Sequence, residues 1–484
     1  MQRSVRFAGI TDPGYSGYMT DDRHSPPLEL SEDEMRQLGY RVVDILVRHF
    51  AHGRNEPVGA KGTPDDLIAR FAGGPPEDPT DMRHLLARLE KDVFPNNLHV
   101  DHPRFFAFVP GPGNFVSTMA DALVSGFNIF NGTWLGGSAA AAVELNVIDW
   151  FRRFCGFPEG AGGLFVSGGS AANLTALHAA RATKLGDRIE NATIYFSDQT
   201  HYSVERALRV IGFAREQFRK IPSDDRFRLP LDRLCEMIES DKNAGLRPFC
   251  VIANAGTTNT GAVDPLLELA DLCAAEGMWF HADGAYGAAT MICERGRKKL
   301  AGLERVDSLS LDPHKWLFQP FECGCVLVRD AAGLKSAFQL MPEYMRDVHR
   351  NTEETNLADY GIQLSRSLRA LKVWLSINTF GMAAFRDAVT RGFELAEFAE
   401  KELRRRRNCE ILSPAEMAIV AFRFGKDDAL QTRLVEEMLR DGFAFLTSTT
   451  LKGVTALRLC TINPRTTEQD IVQTIDRLEK FAAS

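Results

Sequence analysis

From about Phe115 onward, short apolar runs alternate with segments long enough to be helices, and this alternation constrains the fold more than any other feature. The runs are Gly163–Ser167, Ala192–Ser197, Phe249–Ala253, Met278–Ala282, Ser308–Leu311 and Cys323–Val328. Strands separated by helices cannot pair as hairpins. They pair side by side as a mostly parallel sheet with helices on both faces, an α/β architecture. In such a sheet, ligands bind beyond the carboxyl ends of the strands, so the residue following each run is where chemistry is expected.

The flanking regions have a different texture. Residues 1–30 are polar and rich in Gly, Pro and Asp, and read as a loosely held arm. Ser31-Glu32-Asp33-Glu34 has the S-x-x-E form of a capping box, and Leu38, Val42, Ile45, Leu46 and Phe50 then recur at helical spacing. Further helical segments, Asp65–Phe71 and Met82–Asp92, stand on either side of a Gly-Gly-Pro-Pro break at 73–76. The domains expected are a helical N-terminal one over 31–114, a large α/β one over 115–372 and a small α+β one over 373–484. A helical stretch, Gln363–Thr379, leads into the last of these. There Ala418–Phe424 and Ala456–Cys460 read as strands, and Asp427–Asp441 and Thr467–Phe481 as helices.

A net charge of −7, with 44% apolar and 25% charged residues, suits a soluble globular protein and argues against a nucleic-acid or anionic-membrane partner. The longest uncharged stretch, Ala122–Val143, carries Asn128, Asn131 and Thr133, which lipid would penalise, so it reads as buried protein. The N-terminus lacks the apolar region of a signal peptide. Nine cysteines follow no disulfide spacing and read as reduced thiols, which points to the cytoplasm. The histidines and cysteines form neither H-E-x-x-H nor C-x-x-C, so no metal site is expected.

After the first run, Gly168-Gly169-Ser170 opens a helix, and its backbone N–H groups can cradle a phosphate or simply cap the helix. His201 follows the second run, as a structural donor or a catalytic group. Thr257 and Thr258 lie in a small-residue turn after the third. Asp283 ends the fourth, and a buried carboxylate there needs a cationic partner or strong donors. Lys315 follows the fifth, framed by Leu311, Trp316, Leu317 and Phe318; desolvation by such neighbours favours the neutral amine that forms a Schiff base. Each signal is weak alone. Together they supply what pyridoxal 5′-phosphate (PLP) requires: an amine for its aldehyde, an acid for its pyridine nitrogen, a ring stacker and a phosphate cup.

Three segments resemble the PLP-dependent group II amino-acid decarboxylases, most closely the aromatic-L-amino-acid decarboxylase branch. They are Asp198-Gln199-Thr200-His201-Tyr202-Ser203-Val204-Glu205-Arg206-Ala207, His281-Ala282-Asp283-Gly284-Ala285-Tyr286 and Ser308-Leu309-Ser310-Leu311-Asp312-Pro313-His314-Lys315-Trp316-Leu317. The resemblance implies a fold type I, PLP-dependent transferase-like architecture with a seven-stranded sheet. It also implies a homodimer with active sites at the interface, the helical N-terminal region wrapping the partner. The reaction implied is decarboxylation of an L-amino acid, an aromatic one being favoured, through an external aldimine and a quinonoid. On that footing Lys315 is the aldimine lysine, Asp283 the partner of the pyridine nitrogen and His201 the ring stacker. Ala285 packs on the opposite ring face, Thr258 lies at the cofactor's polar edge, and Gly169, Ser170 and His314 hold the phosphate. Leu340-Met341-Pro342-Glu343-Tyr344 is similar to the family's catalytic loop, which makes Tyr344 the proton donor to Cα. Phe108, Trp134, His201 and Arg366 are implied to contact substrate. Aldehyde synthases of the family carry phenylalanine in place of the loop tyrosine, so Tyr344 favours amine as product. Decarboxylases of acidic substrates want a cationic pocket, for which the 105–114 stretch offers only Arg104 at its edge. Tyr202 departs from the family pattern, standing where a small polar residue is common.

Overall fold

The computed structural model describes residues 28–340, 343, 347–348, 351 and 353–484. The large unit contains β1 (Gly162–Val166), β2 (Ala192–Ser197), β3 (Phe218–Ile221), β4 (Arg247–Asn254), β5 (Trp279–Asp283), β6 (Ser308–Leu311) and β7 (Gly324–Val328). They form one sheet in the order β1-β7-β6-β5-β4-β2-β3. β6, β5, β4, β2 and β3 run parallel, and β7 is antiparallel to both of its neighbours. Every residue of β2, β5, β6 and β7 is buried, as a sheet covered on both faces demands.

All six apolar runs are strands. The seventh, β3, lacks the apolar signature because it is a short edge strand, Phe-Arg-Lys-Ile, with only Ile221 buried. Arg219 and Lys220 there discourage further pairing along the open edge.

Helices α1 (Glu32–His52), α2 (Pro64–Phe71) and α3 (Met82–Arg88) make up the N-terminal region, and α4 (Phe115–Gly126) and α5 (Trp134–Phe154) lead into the sheet. α6 (Gly169–Lys184), α7 (Tyr202–Val210), α8 (Leu231–Asn243), α9 (Leu266–Glu276), α10 (Glu294–Lys299) and α11 (Ala331–Phe338) accompany the strands. The capping box at α1 is present: Glu34 N–H donates to Ser31 Oγ at 3.3 Å, and Ser31 N–H donates to the Glu34 carboxylate at 2.8 Å.

The chain then runs through α12 (Ala370–Arg404) into β8 (Cys409–Glu416), β9 (Ile419–Phe424), α13 (Asp428–Asp441), β10 (Thr447–Leu451), β11 (Val454–Cys460) and α14 (Glu468–Ala483). The four strands form an antiparallel sheet, β10-β11-β9-β8, with a core that includes Leu395, Phe422, Leu457 and Ile475. A boundary at 372/373 would cut α12 in its first turn. The helix is broken instead at Gly381, whose φ of +76° suits a residue without Cβ. α12 packs on α4 and α5 and also on β8 and β9, so it joins the two sheets. Among the described residues, no helix is long and apolar enough to cross a membrane.

Candidate active site

Beyond the carboxyl ends of the central strands lies a cavity of about 370 Å³, whose lining includes Gly169, Ser170, His201, Thr258, Asp283, Ala285, His314 and Lys315. These are the eight residues expected to hold the cofactor, drawn from five separate segments.

The β1–α6 turn forms one wall. A Cβ on Gly169 would stand 2.8 Å from Ala285 Cβ and 2.9 Å from Asp312 Oδ2, and one on Gly168 would stand 3.0 Å from His314 Cε1. The backbone therefore approaches its neighbours as only glycine allows, and the first N–H groups of α6 are open to an anion. His314 Nδ1 accepts from Cys323 N–H at 3.0 Å, which puts the ring proton on Nε2, 3.5 Å from Asp312 Oδ2.

Asp283 ends β5. Its Oδ1 accepts from Ser310 Oγ–H at 3.1 Å and Ala285 N–H at 3.2 Å, and its Oδ2 accepts from Asn173 Nδ2–H at 3.0 Å. Burial pushes the carboxyl up, but the Lys315 charge and the Asn173 hydrogen bond help hold it below its ordinary value. Asp283 is therefore an anion able to hold a proton on a facing ring nitrogen. His201 is the N-cap of α7, its Nδ1 accepting from Ser203 N–H at 3.3 Å and lying 2.7 Å from Ser203 Oγ. Burial lowers its basicity, against the pull of Asp283, so the ring is held neutral.

Lys315 is less desolvated than its apolar sequence neighbours suggest. Its side chain keeps 23% exposure, and its Nζ lies 2.9 Å from Asp312 Oδ2. Asp312 itself is buried, and its Oδ1 has no hydrogen-bond partner. Trp316, one of those neighbours, instead stacks on Tyr286 at 5.1 Å.

Three expected substrate contacts do not reach this cavity within the chain. Phe108 is 57% exposed and does not line it; its carbonyl accepts from Arg458. Trp134 begins α5 and packs beside the core formed by α6 and the sheet. Arg366 is wholly buried and committed elsewhere, donating to Glu144 Oε1 and Phe165 O, each at 2.7 Å, and to Asn131 O at 3.0 Å. A guanidinium with its charge spent on a buried glutamate is a structural clamp, not a substrate ligand. Tyr344 lies outside the described residues.

Conversely, Asp312, Asn173, Ser203 and Asn254 line the cavity without having been singled out. Asp312 and Ser203 sit inside the recognised motifs. Asn173 is four residues from Gly169, hence on the same face of α6, and that spacing was the available signal.

A glycine-walled anion cup, a buried anionic acid, a neutral imidazole and a primary amine around one cavity define a PLP site on a fold type I scaffold. The orphaned oxygen of Asp312, a residue of the cavity lining, fits a bound group there. Comparison with known proteins agrees. The pyridoxal-dependent decarboxylase conserved domain matches residues 64–425. An aromatic-L-amino-acid decarboxylase from Bacillus atrophaeus is 48% identical over 95% of this chain and 97% of its own. A tyrosine decarboxylase from Oryza sativa subsp. japonica is 34% identical, over 91% and 89% respectively. The structure superposes on Oryza sativa TDC solved with PLP and tryptamine (TM-score 0.89, 28% identity, 95% of this chain and 99% of that one). It also superposes on Catharanthus roseus tryptophan decarboxylase in complex with L-tryptophan (TM-score 0.88, 28% identity, 95% and 99%).

The chain belongs to the pyridoxal-dependent decarboxylase family. It is a carboxy-lyase, and its cofactor is pyridoxal 5′-phosphate.

Proposed function

We propose that this enzyme converts an aromatic L-amino acid to its amine and carbon dioxide. The observation that carries this reading is the convergence of Lys315, Asp283, His201 and the Gly168–Ser170 turn on one cavity. The 48% identity to an aromatic-L-amino-acid decarboxylase supports the substrate class. The described lining of the cavity offers no arginine to a second substrate carboxylate, which favours a neutral side chain over an acidic one.

Bound PLP supplies an aldehyde for the amine and a ring that accepts the electrons of the broken Cα–carboxylate bond. Lys315 would hold that aldehyde through its Nζ. Asp283 would keep the ring nitrogen protonated, and His201 and Ala285 would hold the ring. Thr258 would serve the polar edge, while Gly169, Ser170 and His314 would bind the phosphate. Tyr344 delivers the proton to Cα. A residue carried on a loop can admit substrate and then exclude water.

The working unit is a homodimer, supported by α1. None of its residues is buried, and Met35, Tyr40, Val42, Val43 and Val47 are exposed. A helix with an open apolar face needs a covering surface. Phe108 and Trp134 then complete the substrate site across that interface. Nine unpaired cysteines support a reducing, cytoplasmic setting.

The test is a panel of aromatic, acidic and aliphatic amino acids, assayed for carbon dioxide, amine, and aldehyde with ammonia. Amine and carbon dioxide from tyrosine, tryptophan, phenylalanine or their hydroxylated forms are expected. Turnover confined to glutamate or a sulfinate would overturn the substrate class, and aldehyde with ammonia would overturn the product.

A further inference from the structure

Beneath the cavity a line of buried polar groups connects β5 and β6 to α6 and α7. Trp279 Nε1 lies 2.8 Å from Ser308 Oγ, and Ser308 Oγ lies 2.9 Å from His281 Nδ1. His281 Nε2 lies 3.0 Å from Asn173 Oδ1. Asn173 Nδ2 then lies 3.0 Å from Asp283 Oδ2 and 3.2 Å from Ser203 Oγ, which is 2.7 Å from His201 Nδ1. Ser308, His281, Asn173 and Ser203 are all 2% exposed or less.

The two ends of this line fix its direction. An indole N–H can only donate, and an ionised carboxylate can only accept. Ser308 therefore accepts from Trp279 and turns its own proton to His281 Nδ1. His281 must carry its single proton on Nε2 and give it to Asn173 Oδ1. That leaves the Asn173 amide hydrogens for Asp283 and Ser203; the flipped amide would set oxygen against carboxylate. With its oxygen occupied as an acceptor, Ser203 donates to His201 Nδ1, which also faces Ser203 N–H. Burial holds His281 down to about 4 and lowers His201, so both rings are neutral as the line requires.

We infer that Asn173 is a positioning residue that ties Asp283 to His201, and that the line ending on it presents His201 to the cavity as a neutral donor at Nε2. This deepens the proposed function, because it rests on His201 and Asp283 facing the cofactor. One amide holds both groups, so the ring stacker and the ring-nitrogen partner are set in register with each other. The His201 Nε2–H is thereby aimed at whatever anionic group occupies the cavity, a substrate carboxylate being the chemistry it fits.

The test uses the full-length enzyme with histidine labelled in ¹⁵N, with and without PLP, and assigns His201 from the signal lost in His201→Gln. In the wild type, the protonated nitrogen of His201 is expected to be Nε2; protonation at Nδ1 overturns the inference. Asn173→Asp keeps the size but has at most one proton, shared with Asp283, and none for Ser203. It is expected to populate the Nδ1–H form and to weaken PLP binding roughly 10- to 100-fold, the range for losing a hydrogen bond to a charged group. Ser203→Ala cuts only the His201 branch. It should mix the tautomers while leaving PLP affinity within about threefold, and it serves if Asn173→Asp fails to fold. An unchanged tautomer in Ser203→Ala, together with unchanged PLP affinity in Asn173→Asp, overturns the inference. If the tautomers behave as stated but His201→Gln keeps both turnover and the bound-cofactor spectrum, the line stands and the placement of His201 at the cofactor falls instead.

Discussion

The cavity floor and α1 are the two extremes of this molecule. Around Asn173, buried polar atoms find partners on neighbouring strands and helices of the same chain, so that site is complete in its geometry. Along α1 the helix is well capped yet no residue is fully buried; it touches the rest of the chain through Arg41 and Arg48 on Glu90 and near its end, where His49 lies 2.9 Å from Asp101 and Phe50 meets Phe115 at 5.6 Å. The difference teaches that the cofactor-facing groups are positioned within one chain, whereas no residue of α1 is buried by the described residues. The proposed homodimer would supply that cover and the rest of the substrate site.

The largest break in the contrast is expected at Lys315. Lys315→Ala should abolish turnover and the borohydride-trapped cofactor mass while leaving circular dichroism and assembly intact, since Nζ pairs with Asp312 and its residue lines the cavity. Near-normal activity would remove Lys315 from the chemistry. Asp283→Asn should lower kcat by roughly 100-fold or more, the scale for losing one preorganised electrostatic contact, again with the fold retained. On the other side of the comparison, Val43→Glu with Val47→Glu should convert dimer to monomer by light scattering. Activity should fall at least tenfold while the bound-cofactor spectrum remains. A dimer unaffected by both charges would show that α1 is covered by something else.

The smallest effect expected is in pH. Burial holds His281 down to about 4 from 6.5, so its neutral form stabilises the fold at and above pH 6.5. That contribution is lost as pH falls from about 6.5 through 4, amounting to about 3 kcal/mol. Denaturant midpoints measured across this window should fall in the wild type and change less in His281→Asn.

Much of the large unit was legible in sequence because burial on both faces writes strands as unbroken apolar runs. β3 escaped because an edge strand has one face to fill, and β8 and β10 escaped for the same reason, their burial being patchy. That Gly169, Ser170, His201, Asp283 and Lys315 share one cavity was legible because they follow strands or open a helix, positions a parallel sheet brings to one end; Thr258, Ala285 and His314 were expected from the resemblance to the decarboxylases. Arg366 was misread because a charged residue beside a site motif looks the same in sequence whether it faces substrate or a buried glutamate; only packing places Glu144 Oε1 2.7 Å away. Lys315 was likewise read from its apolar neighbours, although Trp316 turns to Tyr286 and the amine's real neighbour is Asp312.

Sequence by itself determined the strand–helix alternation, the glycine turn and the kinds of side chain at the strand ends, because local backbone preference and periodic burial are carried by neighbouring residues. Tertiary structure alone decided which of those side chains share partners: Asn173 and Asp283 are 110 residues apart yet 3.0 Å from each other. Hydrogen-bond direction depends on what donates and what accepts across such distances, and that is fixed only when the sheet and its helices pack.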